Sequence, residues 1–146
     1  MIFELITGDF LFEPRKGPNY KKNDDHIAQM IELLGPMPKN FAIAGKNFEN
    51  YFEFERGRYT YKNIKGLKPF PLKKLLTDKY RIKPNEAELL ADFLLQILKW
   101  YPEERANAQQ LLEHPWIKME NDYNFRMNDM EYKKFTVKQT IEGVKD

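Results

Sequence analysis

The chain has 146 residues, 42% of them hydrophobic and 32% charged, a balance typical of a folded domain with its own core. The net charge of +2 and the absence of cysteine exclude a strong general attraction to nucleic acid or membranes, a disulfide framework and thiolate chemistry. The apolar runs are too short to span a bilayer, and the two histidines, His26 and His114, are too far apart to predict a metal site. Because the N-terminus lacks a signal-peptide pattern, we expect an intracellular protein, in the cytoplasm, the nucleus or both.

The first segment has a helical pattern. Residues 1–6 read MIFELI, and Gly8 is placed to end the helix in a left-handed conformation. No capping residue precedes the pattern, so we expect the sequence to begin inside a helix.

A second helix is predicted from Asp25 to Leu34, with Asn23 or Asp24 as its cap and Gly35 after its end. One face of this helix is apolar and carries Ile27, Met30, Ile31 and Leu34. At about 100° per residue, Asp25, Gln29 and Glu32 fall together on the opposite face. Asp25 and Glu32 are two turns apart, about 10.5 Å along the helix axis. Taken alone, this polar face is typical of a solvated surface.

The segment from Met37 to Lys83 is less regular. Alternating residues predict a β-hairpin with strands Phe52–Phe54 and Tyr59–Tyr61 and with Gly57 in the turn. A short helix is predicted from Leu72 to Tyr80. The segment also holds a basic stretch made of Lys62, Lys65, Lys68, Lys73, Lys74, Lys79, Arg81 and Lys83. Such lysines more often solvate an irregular insert than bind nucleic acid, so we do not expect a nucleic-acid partner.

The segment from Pro84 to Ile117 predicts two more helices. The first is capped by Asn85, is apolar on nearly all sides and therefore buried, and runs to the residue before Pro102. The second is capped by Asn107, with Gln110 completing a capping box, and ends at Pro115. We expect its apolar side chains to face inward; these are Ala108, Leu111 and Leu112. Beyond it, residues 119–146 are predicted to form a tail that packs only in part.

Three stretches carry a resemblance to a known family. Residues 84–117 read PNEAELLADFLLQILKWYPEERANAQQLLEHPWI, which resembles the last conserved segment of a eukaryotic protein kinase domain. The matching positions are Pro102, Arg105 and the run His114, Pro115, Trp116. MIFELITGDFLFEP at residues 1–14 and DDHIAQMIELLG at residues 24–35 resemble the SR-protein kinases, which phosphorylate serines in Arg-Ser-rich splicing factors.

The resemblance implies a mainly α fold, the C-terminal portion of a protein-kinase large lobe, with a short β-hairpin in an insert. Residues 1–118 would be a partial kinase domain and residues 119–146 its C-terminal tail. Arg105 and Trp116 would be structural. The glutamate that pairs with the matching arginine in kinases lies in a motif that this sequence lacks, so we expect Arg105 to have another partner, either within the chain or in a neighbouring molecule.

The resemblance also implies a binding site. Four charged residues match the groove in which SR-protein kinases dock Arg-rich segments of their substrates: Asp9, Asp25, Glu32 and Lys79. The partners implied are Arg/Ser-rich protein substrates. The apolar surface at residues 1–6 would be left uncovered, so we also expect a homo-oligomer through this end of the kinase central helix.

The motifs that transfer phosphate are absent from these 146 residues, which contain no glycine-rich loop, no Val-Ala-Ile-Lys strand, no His-Arg-Asp loop and no Asp-Phe-Gly. We therefore assign no catalytic, cofactor-binding or metal residue, although the family as a whole uses ATP and Mg²⁺. Two functions stay open. One is the docking portion of a serine/threonine kinase that is inactive by itself, and the other is a free-standing, non-catalytic helical interaction module.

Overall fold

The computed structural model describes residues 1–119. They fall into one compact unit, Met1–Ala106, and a second that begins at Asn107. The first unit contains α1 (Ile2–Thr7), α2 (Lys22–Leu34), α3 (Lys39–Ile43), α4 (Phe48–Tyr51), β1 (Phe52–Glu55), β2 (Arg58–Tyr61), α5 (Leu72–Asp78), α6 (Pro84–Ile97) and a 3₁₀ turn at Pro102–Glu104. The second unit contains α7 (Ala108–Leu112) and α8 (Pro115–Met119). This is the mainly helical fold with a single hairpin that was predicted for the described part. The predicted tail lies outside the described residues beyond Met119.

The core of the first unit forms where α5 packs against α6. The most deeply buried side chains there are Leu72, Leu76, Ala87, Leu90, Phe93 and Leu94. α5 begins where predicted and ends two residues earlier, at Asp78. No helix in the described part is both long and apolar enough to cross a membrane.

α1 has one buried side chain and one open face. Phe3 is 3% exposed, and its ring packs in a T-shaped arrangement with the Tyr80 ring at a centroid distance of 5.5 Å. Gly8 ends the helix at φ 78°, which confirms the predicted left-handed cap. Leu5 is 79% exposed. The predicted self-association depends on this exposed apolar surface. Self-association stays a prediction, which light scattering on the purified chain can check.

The hairpin is confirmed. β1 and β2 pair antiparallel, with Phe52 opposite Tyr61 and Glu55 opposite Arg58. Arg56 and Gly57 form the two-residue turn with φ of 51° and 80°, because a tight turn of this kind needs positive φ at both positions.

The ends of the two longest helices differ from the prediction. α2 begins at Lys22, and Asp24 is not its cap but its third residue, where it accepts a hydrogen bond from the backbone of Lys21. α6 has Pro84 in its first turn and Lys83 as its cap, so the predicted Asn85 cap is wrong. A proline at the first helical position needs no N–H partner, and it fixes the start of α6 two residues earlier than predicted.

α6 also ends at Ile97, five residues before Pro102. The expectation that it is apolar on nearly all sides is wrong as well, because Glu88 and Asp92 lie on an exposed face.

In the second unit, the capping box is confirmed. Asn107 Oδ1 accepts from the Gln110 backbone at 2.9 Å, and Gln110 Oε1 accepts from the Asn107 backbone at 2.9 Å. The inward orientation is wrong for Ala108 and Leu112, which are exposed. α7 stops at Leu112, and Pro115 opens α8, a helix that the sequence did not predict.

Candidate functional site

The polar face of α2 holds the loop that follows α1. Asp25 Oδ2 accepts a hydrogen bond from the backbone N–H of Arg15 at 2.8 Å and another from Gln29 Nε2 at 2.8 Å. Gln29 Oε1 in turn accepts from the backbone N–H of Glu13 at 3.1 Å. Asp25 and Gln29 therefore fix the course of residues 13–15.

Glu32 lies two turns beyond Asp25 on α2 and holds a second loop, the one that leads into α5. Its Oε1 accepts from the backbone N–H of Lys68 at 2.9 Å, and its carbonyl oxygen accepts from the N–H of Phe70 at 2.8 Å. The second carboxylate oxygens of Asp25 and Glu32 have no hydrogen bond to any residue in the described part. Each carboxylate is thus held in place through one oxygen, and its other oxygen has no hydrogen bond within the described residues.

A groove of about 260 Å³ lies between these two loops, with α2 beside it. Most of its lining is apolar and comes from Leu11, Phe12, Leu33, Phe70 and Leu75, while Glu32 supplies a charge. Phe70 is 48% exposed, so the wall of the groove is open to solvent.

Asp9 and Lys79 form an ion pair, although they are 70 residues apart in the sequence. Asp9 Oδ2 lies 2.8 Å from Lys79 Nζ and 2.8 Å from the hydroxyl of Tyr80, which donates to it. The hydrogen bond from Lys79 is the main cause that lowers the pKa of Asp9, and the hydrogen bond to Asp9 raises the pKa of Lys79. Lys79 also lies over the Tyr80 ring, 4.8 Å from its centroid.

The structure places the four predicted docking residues in two separate pairs. Asp25 and Glu32 project from one helix, whereas Asp9 and Lys79 join the end of α1 to the end of α5. The chain from Asp9 into the loop that lines the groove connects the two pairs. Their role in docking stays a prediction.

Asp24 is a residue that the sequence reasoning named only as a possible cap. It is 7% exposed, and its carboxylate accepts from the backbone N–H of Lys21 at 2.6 Å and from Asn63 Nδ2 at 2.7 Å. Its carbonyl oxygen accepts from the Tyr61 hydroxyl at 2.7 Å. Burial, and then the charge of Asp24, raise the pKa of Tyr61. Asp24 thus ties the start of α2 to the hairpin strand β2 and to the residues after it.

Arg105 has partners in the chain backbone. Its Nε donates to the carbonyl oxygen of Lys99 at 3.0 Å, and its terminal amino group donates to that of Trp100 at 3.4 Å. The guanidinium is exposed, so no buried unpaired charge arises. In the second unit, Trp116 is half-buried, and its backbone N–H donates to His114 Nδ1 at 3.1 Å.

Comparison with known proteins identifies the relatives of this chain. It is 48% identical over 118 residues to the serine/threonine-protein kinase SKY1 of Saccharomyces cerevisiae, which covers 81% of this chain and 16% of SKY1. It is 48% identical to the serine/threonine-protein kinase SRPK of Physarum polycephalum, over 80% of this chain and 27% of that protein. It is 41% identical to SRSF protein kinase 3 of Homo sapiens, over 80% of this chain and 20% of that protein.

The chain belongs to the SR-protein kinase family. It spans between about a sixth and a quarter of the length of these relatives and corresponds to part of a kinase lobe. No model of a protein family matches the sequence. The resemblance drawn from residues 1–14, 24–35 and 84–117 is thereby confirmed at the level of the family.

Proposed function

We propose that this chain carries the docking surface of an SR-protein kinase, on which the Arg-rich segment of an Arg/Ser-rich substrate binds. The observation that carries the proposal is the arrangement of Asp25 and Glu32. Each carboxylate is anchored through one oxygen by a loop N–H, at 2.8 Å and 2.9 Å, and has a second oxygen to accept a donor from outside.

Anchored carboxylates suit arginine for two reasons. A guanidinium presents its donors in a planar fork that can engage a carboxylate with charge-assisted hydrogen bonds. The anchoring bonds also restrict the side-chain rotamers before the ligand arrives, so less conformational entropy is lost on binding.

The spacing of the two carboxylates selects the register of the peptide. Asp25 and Glu32 are about 10.5 Å apart along the helix, and an extended chain advances about 3.3 Å per residue. Arginines two or four residues apart lie on the same side of an extended peptide, about 6.6 or 13 Å apart, and their long side chains can therefore reach both carboxylates. The apolar groove beside Glu32 can receive the aliphatic stem of an arginine, because such stems pack on apolar surfaces while the charged head stays in water.

Asp9 and Lys79 play a secondary role in this proposal. Since Lys79 already neutralises Asp9, an incoming arginine must compete for the carboxylate. Removing Lys79 should strengthen the attraction between Asp9 and an incoming arginine, whereas removing Asp9 should weaken the binding of arginine near the end of α1.

Several lysines of the basic stretch are engaged within the chain, which favours a peptide over a nucleic acid as the partner. Lys65 pairs with Glu53 at 2.7 Å, Lys73 pairs with Glu88 at 2.8 Å, and Lys62 donates to the carbonyl oxygen of Glu49 at 2.6 Å. Cations that are paired in this way contribute little to a phosphate-binding surface.

The proposal assigns no chemistry to these 146 residues by themselves. Phosphoryl transfer depends on groups that position and neutralise the nucleotide phosphates, and the sequence contains none of the motifs that supply them. We expect the purified chain to leave an Arg-Ser peptide unphosphorylated in the presence of ATP and Mg²⁺. Phosphate incorporation above a no-protein control would contradict this expectation.

Titration of a labelled Arg-Ser peptide tests the docking proposal. We expect weak binding to the parent chain that weakens further with salt, because exposed charges are screened beyond about 8 Å at physiological ionic strength. Asp25→Lys combined with Glu32→Lys should abolish binding at this face, seen as the loss of the peptide-induced shifts of the Arg15 and Lys68 amide resonances. Lys73→Ala combined with Lys74→Ala is the control and should not weaken it. If the double reversal binds as well as the parent chain, Asp25 and Glu32 are only a solvated face and the proposal fails.

A further inference from the structure

The hairpin has an open edge along β1. Lys62 N–H donates to the carbonyl oxygen of Tyr51 at 2.9 Å, and hydrogen-bonded and non-hydrogen-bonded pairs alternate along an antiparallel ladder. Phe54 and Tyr59 are therefore a non-hydrogen-bonded pair, and the N–H and C=O of Phe54 point away from β2. No residue outside the hairpin, within residues 1–119, bonds to either group. An edge of this kind can accept one further strand.

The two sides of β1 differ in chemistry. Glu53 and Glu55 lie on one side, two residues and thus about 6.8 Å apart, and Phe52 and Phe54 lie on the other. Phe54 is 63% exposed. β1 therefore presents a row of two negative charges along an edge on which the N–H and C=O of Phe54 are unpaired. The outward N–H of Phe52, by contrast, donates to the carbonyl oxygen of Phe48.

The other edge of the hairpin is unsuited to a cationic strand. On the side that carries the glutamates, β2 contributes Arg58 and Thr60, which lie opposite Glu55 and Glu53. A basic strand added beside β2 would meet the positive charge of Arg58, and like charges opposite each other are destabilising. A cationic strand should therefore bind beside β1 and not beside β2.

We propose that the β1 edge binds an extended peptide with arginine at every second position, as a third strand of the hairpin sheet. An Arg-Ser repeat has a period of two residues, which is also the side-chain period of a strand. In the extended form all its arginines lie on one side, and directly opposite side chains in neighbouring strands are about 4.5–5.5 Å apart at Cβ. The arginines would then pair with Glu53 and Glu55, and the small serines would lie beside Phe52 and Phe54.

The two glutamates are accessible to such a ligand. Glu55 has a side-chain exposure of 57% and only a long contact of 3.9 Å with Arg56, which is itself 87% exposed. Glu53 is 43% exposed and is held through Oε1 by Lys65 at 2.7 Å, which leaves Oε2 for an arginine. Glu55 is accordingly the stronger contact of the two. The choice of an Arg/Ser-rich ligand rests on the proposed function, whereas the edge and its charges do not.

The test compares an Arg-Ser repeat peptide with an isomer of the same composition whose arginines are grouped at one end. Both are titrated into the full chain and followed by fluorescence anisotropy and by amide chemical shifts. We expect the repeat to shift the Phe54 amide resonance, because that N–H gains a hydrogen bond, and the grouped isomer to leave it unchanged. Equal shifts with both peptides, or none with either, would overturn the proposal.

Two pairs of variants separate this edge from the face of α2. Glu53→Gln with Glu55→Gln should weaken binding of the repeat peptide about threefold to tenfold. Glu103→Gln with Glu104→Gln removes the same charge from an exposed turn outside the hairpin and should leave binding within about twofold of the parent chain, since the proposal depends on contacts of Glu53 and Glu55 and not on net charge. If both double variants weaken peptide binding equally, the peptide does not bind specifically at the β1 edge.

A third variant blocks the edge without changing charge. Phe54→Pro removes the outward N–H but no ladder hydrogen bond, so it should abolish the repeat-specific component while the cross-strand contacts of the hairpin persist. If Asp25→Lys with Glu32→Lys abolishes binding and the β1 variants do not affect it, the proposed docking function stands and this inference fails. If only the β1 variants affect binding, the inference stands and the docking function fails.

Discussion

The two longest helices of this chain are held in place by different interactions. α6 buries Ala87, Leu90, Ala91, Phe93 and Leu94, and packs directly on α5. α2 is nearly as long but buries only Ala28 and Asp24. It is secured by side-chain carboxylates and an amide that accept hydrogen bonds from the backbone of the adjoining loops.

The difference separates the residues that stabilise the fold from those that shape its surface. Burial of apolar area stabilises by about 25 cal/mol per Å², so α6 carries much of the stability of the first unit. Exposed hydrogen bonds contribute about 1 kcal/mol each and fix local geometry. Changes on the polar face of α2 should therefore alter the loops and their ligands more than the free energy of unfolding.

The largest expected effect is that of Leu90→Ala. Leu90 is 1% exposed at the α5–α6 contact, and truncation of a fully buried leucine costs about 2–5 kcal/mol of unfolding free energy. Ile31→Ala, on the half-buried stripe of α2, should cost about half as much. Chemical denaturation of both variants measures the difference, and equal losses would contradict the distinction between the helices.

Asp24→Ala should have the next largest effect. It removes the acceptor of the Lys21 N–H and one of the two acceptors of Asn63 Nδ2, which also donates to the carbonyl oxygen of Asn50 at 2.9 Å. The loss of the buried acceptor costs about 1–3 kcal/mol. Asp25→Ala, one residue along, should cost less than about 1.5 kcal/mol because its donors are at the surface and can turn to water. The same denaturation experiment compares the two variants. A larger loss of unfolding free energy for Asp25→Ala than for Asp24→Ala would contradict the claim that Asp24 is the buried structural link.

Much of the fold was predictable because its signals are local. The Gly8 cap, the hairpin around Gly57, the Asn107 capping box and the start of α5 each depend on a few adjacent residues whose chemistry selects one conformation. The short helices α3 and α4 gave no periodic pattern, since five and four residues are too few to show one.

The wrong or missing predictions concern features that are determined by contacts between residues far apart in the sequence. Asp24 and Asp25 look equivalent in sequence, and only the approach of Asn63 and Tyr61 makes the first a buried link. The polar face of α2 was predicted as a face, but not its hydrogen bonds to the loops, because those bonds join residues up to 36 positions apart. Likewise, the pairing of Asp9 with Lys79 became visible only when α1 and α5 were brought together.

The smallest effect concerns the ionisation of Asp9. Because the hydrogen bond from Lys79 lowers the pKa of Asp9, Lys79→Met should raise that pKa toward the ordinary value of about 3.9. The folded-state pKa is below the unfolded one, so the pair contributes its stability above the ordinary pKa and loses it as the pH falls through the lowered value. A carboxyl NMR titration of both chains measures this shift, and identical pKa values would show that Lys79 does not act on Asp9.

The backbone amides of Arg15 and Lys68 test the central claim most directly, since each donates to one of the two carboxylates assigned to docking. On titration with an Arg-Ser repeat peptide, both amide resonances should shift along one saturation curve, and the shifts should disappear in the Asp25→Lys, Glu32→Lys double variant. Saturable binding of the peptide with both amides unmoved would contradict the account.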